Sequence, residues 1–334
     1  MANALLRLTD VARTFDVSPP WLDRVLERKP RALLKAVDGV TLAIPRGETL
    51  GLVGESGCGK STVARLIVGL HAPTRGVIEF DGAVLAGAGA VDSVAQRAAR
   101  RGMQMIFQDP FASLNPRWRV AAVIAEPIQA LAPGTPRAEI AARVAESLTR
   151  VGLAPADGAK YPHQFSGGQR QRISIARALS TSPRFLVCDE PTSALDVSVQ
   201  AQVLNLMRDL QQRLGLTYLF ISHNLAVIHH IADRVGVMYL GRIAELAPTR
   251  RLFAAPLHPY TRMLLEAVPD LAMTGAPRTA VAGEVPSPLE PPSGCAFHSR
   301  CPHVAERCRR ETPLLMPARG GGEVACHAVE EDRL

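Results

Sequence analysis

The sequence predicts an α/β fold built around a buried sheet, followed by an irregular C-terminal part. Three observations carry this. Short apolar runs bounded by Gly, Pro or polar residues recur at 49–53, 103–107, 185–188 and 218–221, as buried strands do. Helical periodicity fills the stretch between 110 and 181. The segment Gly54-Glu55-Ser56-Gly57-Cys58-Gly59-Lys60-Ser61 stands between an apolar strand and a helix-like run, and it matches the phosphate-loop pattern G-x-x-x-x-G-K-[ST] in full. With 334 residues, 47% of them hydrophobic, the chain has room for a sizeable core and for one large domain with an extension, or two domains.

Taken in order, residues 5–15 and 39–44 alternate like strands, and a polar, charged insertion at 16–35 separates them. Strand 49–53 runs into the phosphate loop, and Thr62 opens a helix over 62–68. Ala-rich helical patterns follow, as at 139–151, and another helix over 173–179. The run 185–188 ends in Asp189-Glu190. Residues 214–232 lack Asp, Glu, Lys and Arg and are nominally long enough to span a bilayer. They contain Ser222, His223, Asn224, His229 and His230, and they divide into a β-rich and a helical half, so a buried strand leading into a helix is predicted. A hairpin is expected at 234–240 and 242–246 around Gly241. After Pro256 the chain turns proline-rich, notably at 283–294, which marks a boundary. No internal repeat is visible. Residues 1–10 lack a basic start followed by a long apolar core, so a cytosolic protein is expected.

The chemistry follows from residue types. The loop glycines let backbone N–H groups turn inward around phosphates, Lys60 reaches the β- and γ-phosphates, and the Ser61 hydroxyl can ligate Mg²⁺. The helix that follows points its positive end at the anion. Asp189, ejected at a strand tip, is suited to hold the metal, directly or through water. Glu190 faces another way and is placed to polarise an attacking water. Ser166-Gly167-Gly168-Gln169 begins a helix, either as a second anion-binding terminus or as a plain cap. A net charge of +7 and a pI of about 9.4 suit an acidic partner. Only 4% of residues are aromatic, which argues against a stacking platform for single-stranded nucleic acid. Cys58 and Cys188 read as small buried residues, whereas Cys295, Cys301, Cys308 and Cys326 crowd the tail as C-x5-C-x6-C-x17-C. In a reducing compartment such a set favours metal over disulfides. Zinc or an iron–sulfur cluster would fit four thiolates, with no C-x-x-C knuckle present and Pro302 after Cys301. His298, His303 and His327 are nearby groups that could support or replace a ligand.

The order phosphate loop, Gln108, Phe165-Ser166-Gly167-Gly168-Gln169, Asp189-Glu190-Pro191, Ser193-Ala194-Leu195-Asp196 and Ser222-His223 resembles the ATPase subunit of ABC transporters over about residues 1–255. The resemblance implies a P-loop NTPase fold with a RecA-like core, a β-subdomain and a helical subdomain at about 110–181. It implies head-to-tail pairing of two such domains, each ATP lying between one phosphate loop (54–61, with Thr62) and the other's Ser166-Gly167-Gly168-Gln169. In that scheme Gln108 is the lid glutamine that senses Mg²⁺ and the membrane partner, and Asp196 is a dimer contact. His223 is the switch histidine and Phe15 the aromatic on adenine. Lys60, Asp189, Glu190 and His223 are all present, so an ATP-hydrolysing subunit is implied, as is a peripheral position on the cytoplasmic face of a bacterial inner membrane.

The tail, 256–334, narrows the resemblance. His258-Pro259-Tyr260-Thr261-Arg262, the Gly-Glu-Val-Pro-Ser-Pro run and the cysteine loop ending at Cys326-His327 resemble the C-terminal extension of oligopeptide/dipeptide importer ATPases, closest to the F-type of two paired subunits. This implies a D-type partner ATPase, two integral-membrane permease subunits, an extracytoplasmic solute-binding protein acting indirectly, and no nucleic acid. It also implies a [4Fe–4S] cluster on the four cysteines, with Zn²⁺ as the alternative. Importers of nickel and other small solutes share the extension. A soluble ABC-type ATPase acting on nucleic acid or the ribosome is the other reading; such proteins usually carry two cassettes or a long coiled coil, and this chain has one phosphate loop. The irregular tail is expected to have little core of its own and to leave the phosphate loop independent of it.

Overall fold

The computed structural model describes residues 4–26, 30–87, 94–267 and 284–334; Gly283, at the head of the proline-rich run, lies outside them. Among these residues the strands are β1 (Ala4–Asp16), β2 (Leu33–Pro45), β3 (Thr49–Val53), β4 (Arg75–Phe80), β5 (Ala83–Ala86), β6 (Met103–Ile106), β7 (Phe185–Asp189), β8 (Thr217–Ile221), β9 (Arg234–Tyr239), β10 (Arg242–Pro248), β11 (Met316–Pro317) and β12 (Glu323–Val324). They form an antiparallel sheet ordered β2-β1-β4-β5 and a larger sheet ordered β11-β12-β10-β9-β3-β8-β7-β6. Within the larger sheet β9, β3, β8, β7 and β6 run parallel, while β10, β12 and β11 are antiparallel additions.

Period-two alternation divides the buried side chains between two cores. Leu50, Leu52, Phe185, Val187, Leu219 and Ile221 face one side, where helix Lys60–Ile67 and the antiparallel sheet pack with Val63, Leu66, Leu6, Ile44 and Phe80. Leu186, Cys188, Tyr218 and Phe220 face the other, against helices Gly167–Leu179 and Val197–Leu214. Strands β3, β7 and β8 are therefore buried at every residue, which is why they read as unbroken apolar runs rather than alternating ones. The apolar stretch at 214–232 resolves into β8 and helix Leu225–Ile231. Among the described residues no helix is long and apolar enough to cross a membrane.

Two features position the site. Antiparallel pairing sets Phe15 opposite Leu34 and Asp16 opposite Leu33, so the insertion leaves and re-enters at the same rung. It does not carry Phe15 away from the 36–38 stretch. The tail, expected to lack a core, instead joins the main one. Glu245 pairs with Val324 and Leu246 with Glu323, and the Ala325 N–H donates to Ala244 O at 2.9 Å. Tyr260 and Phe297 are buried in the same core as Tyr218 and Phe220. Each aromatic so placed contributes about 1.5–3 kcal/mol by burial, enough to bind an irregular segment to the sheet.

Candidate nucleotide site

Four parallel strands end side by side, and their next residues meet: the phosphate loop after β3, Gln108 after β6, Asp189-Glu190 at β7 and Ser222-His223 after β8. Carboxyl ends of parallel strands are where α/β sheets place their ligands. The loop's path is enforced by two glycines. A Cβ on Gly54 (φ 150°) would lie 2.1 Å from Met238 O, and one on Gly59 (φ 108°) 2.2 Å from Ala36 O. Gly57 (φ 80°), by contrast, faces open space, and Ser56 and Gly57 are exposed, as a phosphate cradle needs. Gly59 also precedes helix Lys60–Ile67 without any side-chain cap, leaving the first-turn N–H groups for an anion. The helix begins at Lys60, two residues before the predicted start.

Lys60 is buried, and its ammonium donates to Gly54 O at 2.7 Å and Glu55 O at 3.0 Å. Thr62, one residue past the loop, lies in the first turn of the same helix. Burial pushes the Cys58 thiol up despite the nearby Lys60, so Cys58 is a packing residue, as is the wholly buried Cys188. The Ser61 hydroxyl donates to Asp189 Oδ1 at 3.0 Å. Burial raises the Asp189 carboxyl above its usual range, with Ser61 pulling the other way and Glu190 adding to the rise. A hydroxyl and a buried carboxylate held together, with oxygen donors only, fit a hard divalent cation such as Mg²⁺. Glu190 sits in the left-handed region (φ 49°), which turns its side chain away from that of Asp189. One carboxylate oxygen, Oε2, accepts from Gln108 Nε2 at 3.1 Å and lies 3.1 Å from His223 Nδ1. The Asn224 side chain caps helix Leu225–Ile231 by accepting from Ala226 N, ending β8 so that His223 projects outward.

Ser166 caps helix Gly167–Leu179 reciprocally with Gln169: Ser166 Oγ accepts from Gln169 N at 3.4 Å, and Gln169 Oε1 accepts from Ser166 N at 3.0 Å. Ser166 remains exposed. A Cβ on Gly168 would strike Val199 Cγ1 at 2.4 Å, so the helix start is seated on helix Val197–Leu214. Asp196 precedes that helix, exposed and without a side-chain cap, beside Val197, which is 83% exposed. Phe15 is half-buried; Arg13 lies over its ring at 4.6 Å and His71 meets its edge.

Comparison with known proteins places this arrangement. The pattern described as "ABC transporter" matches residues 37–193, and that described as "Oligopeptide/dipeptide transporter, C-terminal region" matches 244–308. The chain is 48% identical to the Oligopeptide transport ATP-binding protein AppF of Bacillus subtilis (strain 168), over 97% of each chain. It belongs to the ABC transporter ATPases. A Di/tripeptide transport ATP-binding protein DppF of Pseudomonas aeruginosa (strain UCBPP-PA14) is likewise 48% identical, over 98% of this chain and 99% of the relative. Among solved structures, the dimeric ATP-binding cassette MJ0796, in a post-hydrolysis state bound to ADP and Pi, superimposes with a TM-score of 0.62 at 26% identity, covering 73% of this chain and 99% of its own.

For an ABC ATPase, the unanticipated feature is what the extension does to the loop. Tyr260 Oη accepts from the Glu55 N–H at 2.9 Å. Arg300 forms a two-pronged pair with the Glu55 carboxylate, Nη1 to Oε2 at 2.8 Å and Nη2 to Oε1 at 3.0 Å. Neither residue was singled out from the sequence as a site residue, and the loop is not independent of the tail.

The four cysteines converge but do not form a ready-made metal site. Cys295 N donates to Cys308 O at 2.8 Å. Burial, and then the neighbouring thiols, push Cys295 up to about 12 and also raise Cys301 and Cys326. Among the described residues no group of three or more His, Cys, Asp or Glu is arranged to hold a metal ion. The expected cluster or zinc centre is therefore not supported by the side-chain placement. Two of the three nearby histidines are already engaged. His298 Nδ1 lies 2.9 Å from Cys295 O, while His327 is held at Nδ1 by Glu330 and at Nε2 by Glu311 O.

Proposed function

We propose that this cassette is the ATP-hydrolysing subunit of a membrane importer of oligopeptides or dipeptides, seated peripherally on the cytoplasmic face of a bacterial inner membrane. The observation that carries the reading is the meeting of Gln108, Glu190 and His223 on one carboxylate oxygen beside the phosphate loop. Peptides are favoured over nickel because relatives matched across nearly the whole chain bear peptide-transport names.

In this reading Lys60 leaves the carbonyls of Gly54 and Glu55 for the β- and γ-phosphates, and the amides of 54–61 and Thr62 take the remaining phosphate oxygens. Mg²⁺, when bound, neutralises charge developing between those phosphates. Ser61, Asp189 and Gln108 are the groups that would hold it. Glu190 accepts the proton of the attacking water, and His223 steers the γ-phosphate from the other side of the same carboxylate. Phe15 offers its ring to adenine. Ser166, Gly167, Gly168 and Gln169 act on the ATP of a D-type partner, whose contact includes Asp196 and the exposed Val197. The exposed Phe107, directly before Gln108, and the exposed Phe111 and Trp118 that follow it in the chain suit docking of permease helices.

Replacing Glu190 by Gln tests the site. Turnover should fall by roughly 10²–10⁴ while ATP affinity holds. Lost affinity at unchanged turnover would reject the role. Peptide uptake by vesicles carrying the permeases and both ATPases tests the solute. The crowding of Cys295, Cys301, Cys308 and Cys326 in the tail sequence supports a further proposal, that these side chains rearrange to accept an iron–sulfur cluster. Anaerobic protein should then carry iron and sulfide in equal amounts, and Cys301→Ser should remove both. Zinc without iron, or no metal, would refute it.

A further inference from the structure

Glu55 occupies a position that the phosphate-loop pattern leaves free, yet it is the most constrained residue of the loop. Its N–H is taken by Tyr260, its carbonyl by Lys60 at 3.0 Å, and both carboxylate oxygens by Arg300. The Tyr260 side chain is fully buried, and the Arg300 side chain is 2% exposed. With Glu55 20% exposed, the pair is screened less than a surface ion pair, though not wholly withdrawn from solvent. Arg300 ends a short turn, His298–Arg300, built between two tail cysteines. His298 N donates to Cys295 O, and Cys301 N to His298 O. Phe297, at the start of that turn, packs against Tyr239 and Tyr260 with ring centroids 5.3 and 5.4 Å away. Two parts of the extension, helix Pro259–Glu266 and the turn at 298–300, therefore grip the loop through groups that share an aromatic footing.

We propose that Arg300 and Tyr260 are positioning residues for nucleotide binding: the extension clamps Glu55 and so holds the open cradle around Gly57 in the shape that phosphate requires. The physical case rests on Lys60. Glu55 O is one of its two carbonyl acceptors, so any shift of Glu55 also moves the ammonium that must reach phosphate. Without the clamp the loop must order itself on each binding event, and that cost appears as lost affinity. The inference rests on the nucleotide reading of the loop, and the test separates the two.

Binding of MgADP to the full chain would be followed by calorimetry for wild type, Tyr260→Phe, Arg300→Met, Glu55→Gln and the double variant Arg300→Met/Glu55→Gln. Tyr260→Phe keeps the buried ring and deletes the acceptor, and should weaken MgADP several-fold. Arg300→Met and Glu55→Gln should each weaken it about ten-fold. The double variant should be no worse than either single one, because coupled partners are not additive. Arg300→Lys, which restores charge but not the fork, should recover part of the affinity. Turnover at saturating ATP should change less than KM does. Independent, additive losses would overturn the proposal. So would unchanged MgADP affinity accompanied only by a lower melting temperature, which would leave the pair a structural tie. Absence of MgADP binding by the wild-type chain would instead reject the nucleotide reading itself.

Discussion

Glu245 has no exposed side-chain surface, yet it carries the junction between sheet and extension. Its carboxylate pairs with Arg251, accepts from Leu257 N at 3.1 Å and accepts from His258 N at 2.9 Å. These bonds fix the entry to helix Pro259–Glu266, which presents Tyr260 to the phosphate loop. Glu245→Gln keeps the shape but replaces one acceptor oxygen by an N–H donor facing other donors, and it leaves the Arg251 charge without its counter-ion. Removing one member of a buried pair costs about 3–5 kcal/mol. Arg251 is 13% exposed and can recruit some water, which puts the loss near the lower bound, about 3 kcal/mol. For a chain of 334 residues that is a fall in melting temperature of about 4 °C. Thermal unfolding checks the stability, and MgADP calorimetry on the same samples checks that the loop feels the change. Adding Arg251→Met should recover part of the loss, since no buried cation is then stranded. An unaltered melting temperature, or a double variant less stable than Glu245→Gln, would refute the reasoning.

Other predictions concern charge and interface. Because burial raises the Asp189 carboxyl, its ionisation at neutral pH weighs against the nucleotide-free fold. Asp189→Asn should therefore raise the melting temperature of the free chain and abolish the further rise produced by MgATP, both read in one thermal-shift series. Burial holds His258 down at about 4, where its neutral Nδ1 accepts from Tyr260 N. The unfolded chain binds the extra proton between about pH 6.5 and 4. Stability should thus be intact above 6.5 and fall by on the order of 3 kcal/mol as pH drops to 4. His258→Asn, which can still cap the helix, should flatten that slope in urea titrations at stepped pH. Ser166→Arg should stop hydrolysis in a paired assembly without weakening ATP at the mutant's own loop. In an assembly with one altered subunit, undiminished turnover at the facing site would reject the shared-site arrangement.

Much of the site was legible because its residues sit at the ends of strands that are apolar throughout. Residues 49–53 and 185–188 announce themselves as buried, and whatever follows such a strand must emerge at the sheet's carboxyl edge. Phe15 was harder to place, since the insertion suggested distance along the chain where strand pairing restores closeness. Strands Arg75–Phe80 and Ala83–Ala86 escaped notice, being short and flanked by glycines, with Arg75 exposed at one end. The clamp on Glu55 was invisible for a different reason. Its partners lie 205 and 245 residues away, and the phosphate-loop pattern treats Glu55 as arbitrary. The usable hint was Arg300, directly before Cys301 in the cysteine loop. The cysteines show the converse: their crowding in the tail and the family resemblance suggested ligands, but neither says where the sulfurs point.

The antiparallel cover that β12 lays on β10 has a consequence for solubility. An uncovered β10 would present a row of free N–H and C=O groups along a nearly buried strand, with Ile243, Ala244 and Leu246 beneath it. Such a border recruits strands from neighbouring molecules. Covering it with a two-residue ladder, itself flanked by the equally short Met316–Pro317 with its ladder-ending proline, leaves little length for another chain to pair with. Covering that edge is expected to limit self-association, and a cassette cut back to about residue 255 should run as polydisperse aggregates in size-exclusion chromatography even where its phosphate loop is intact.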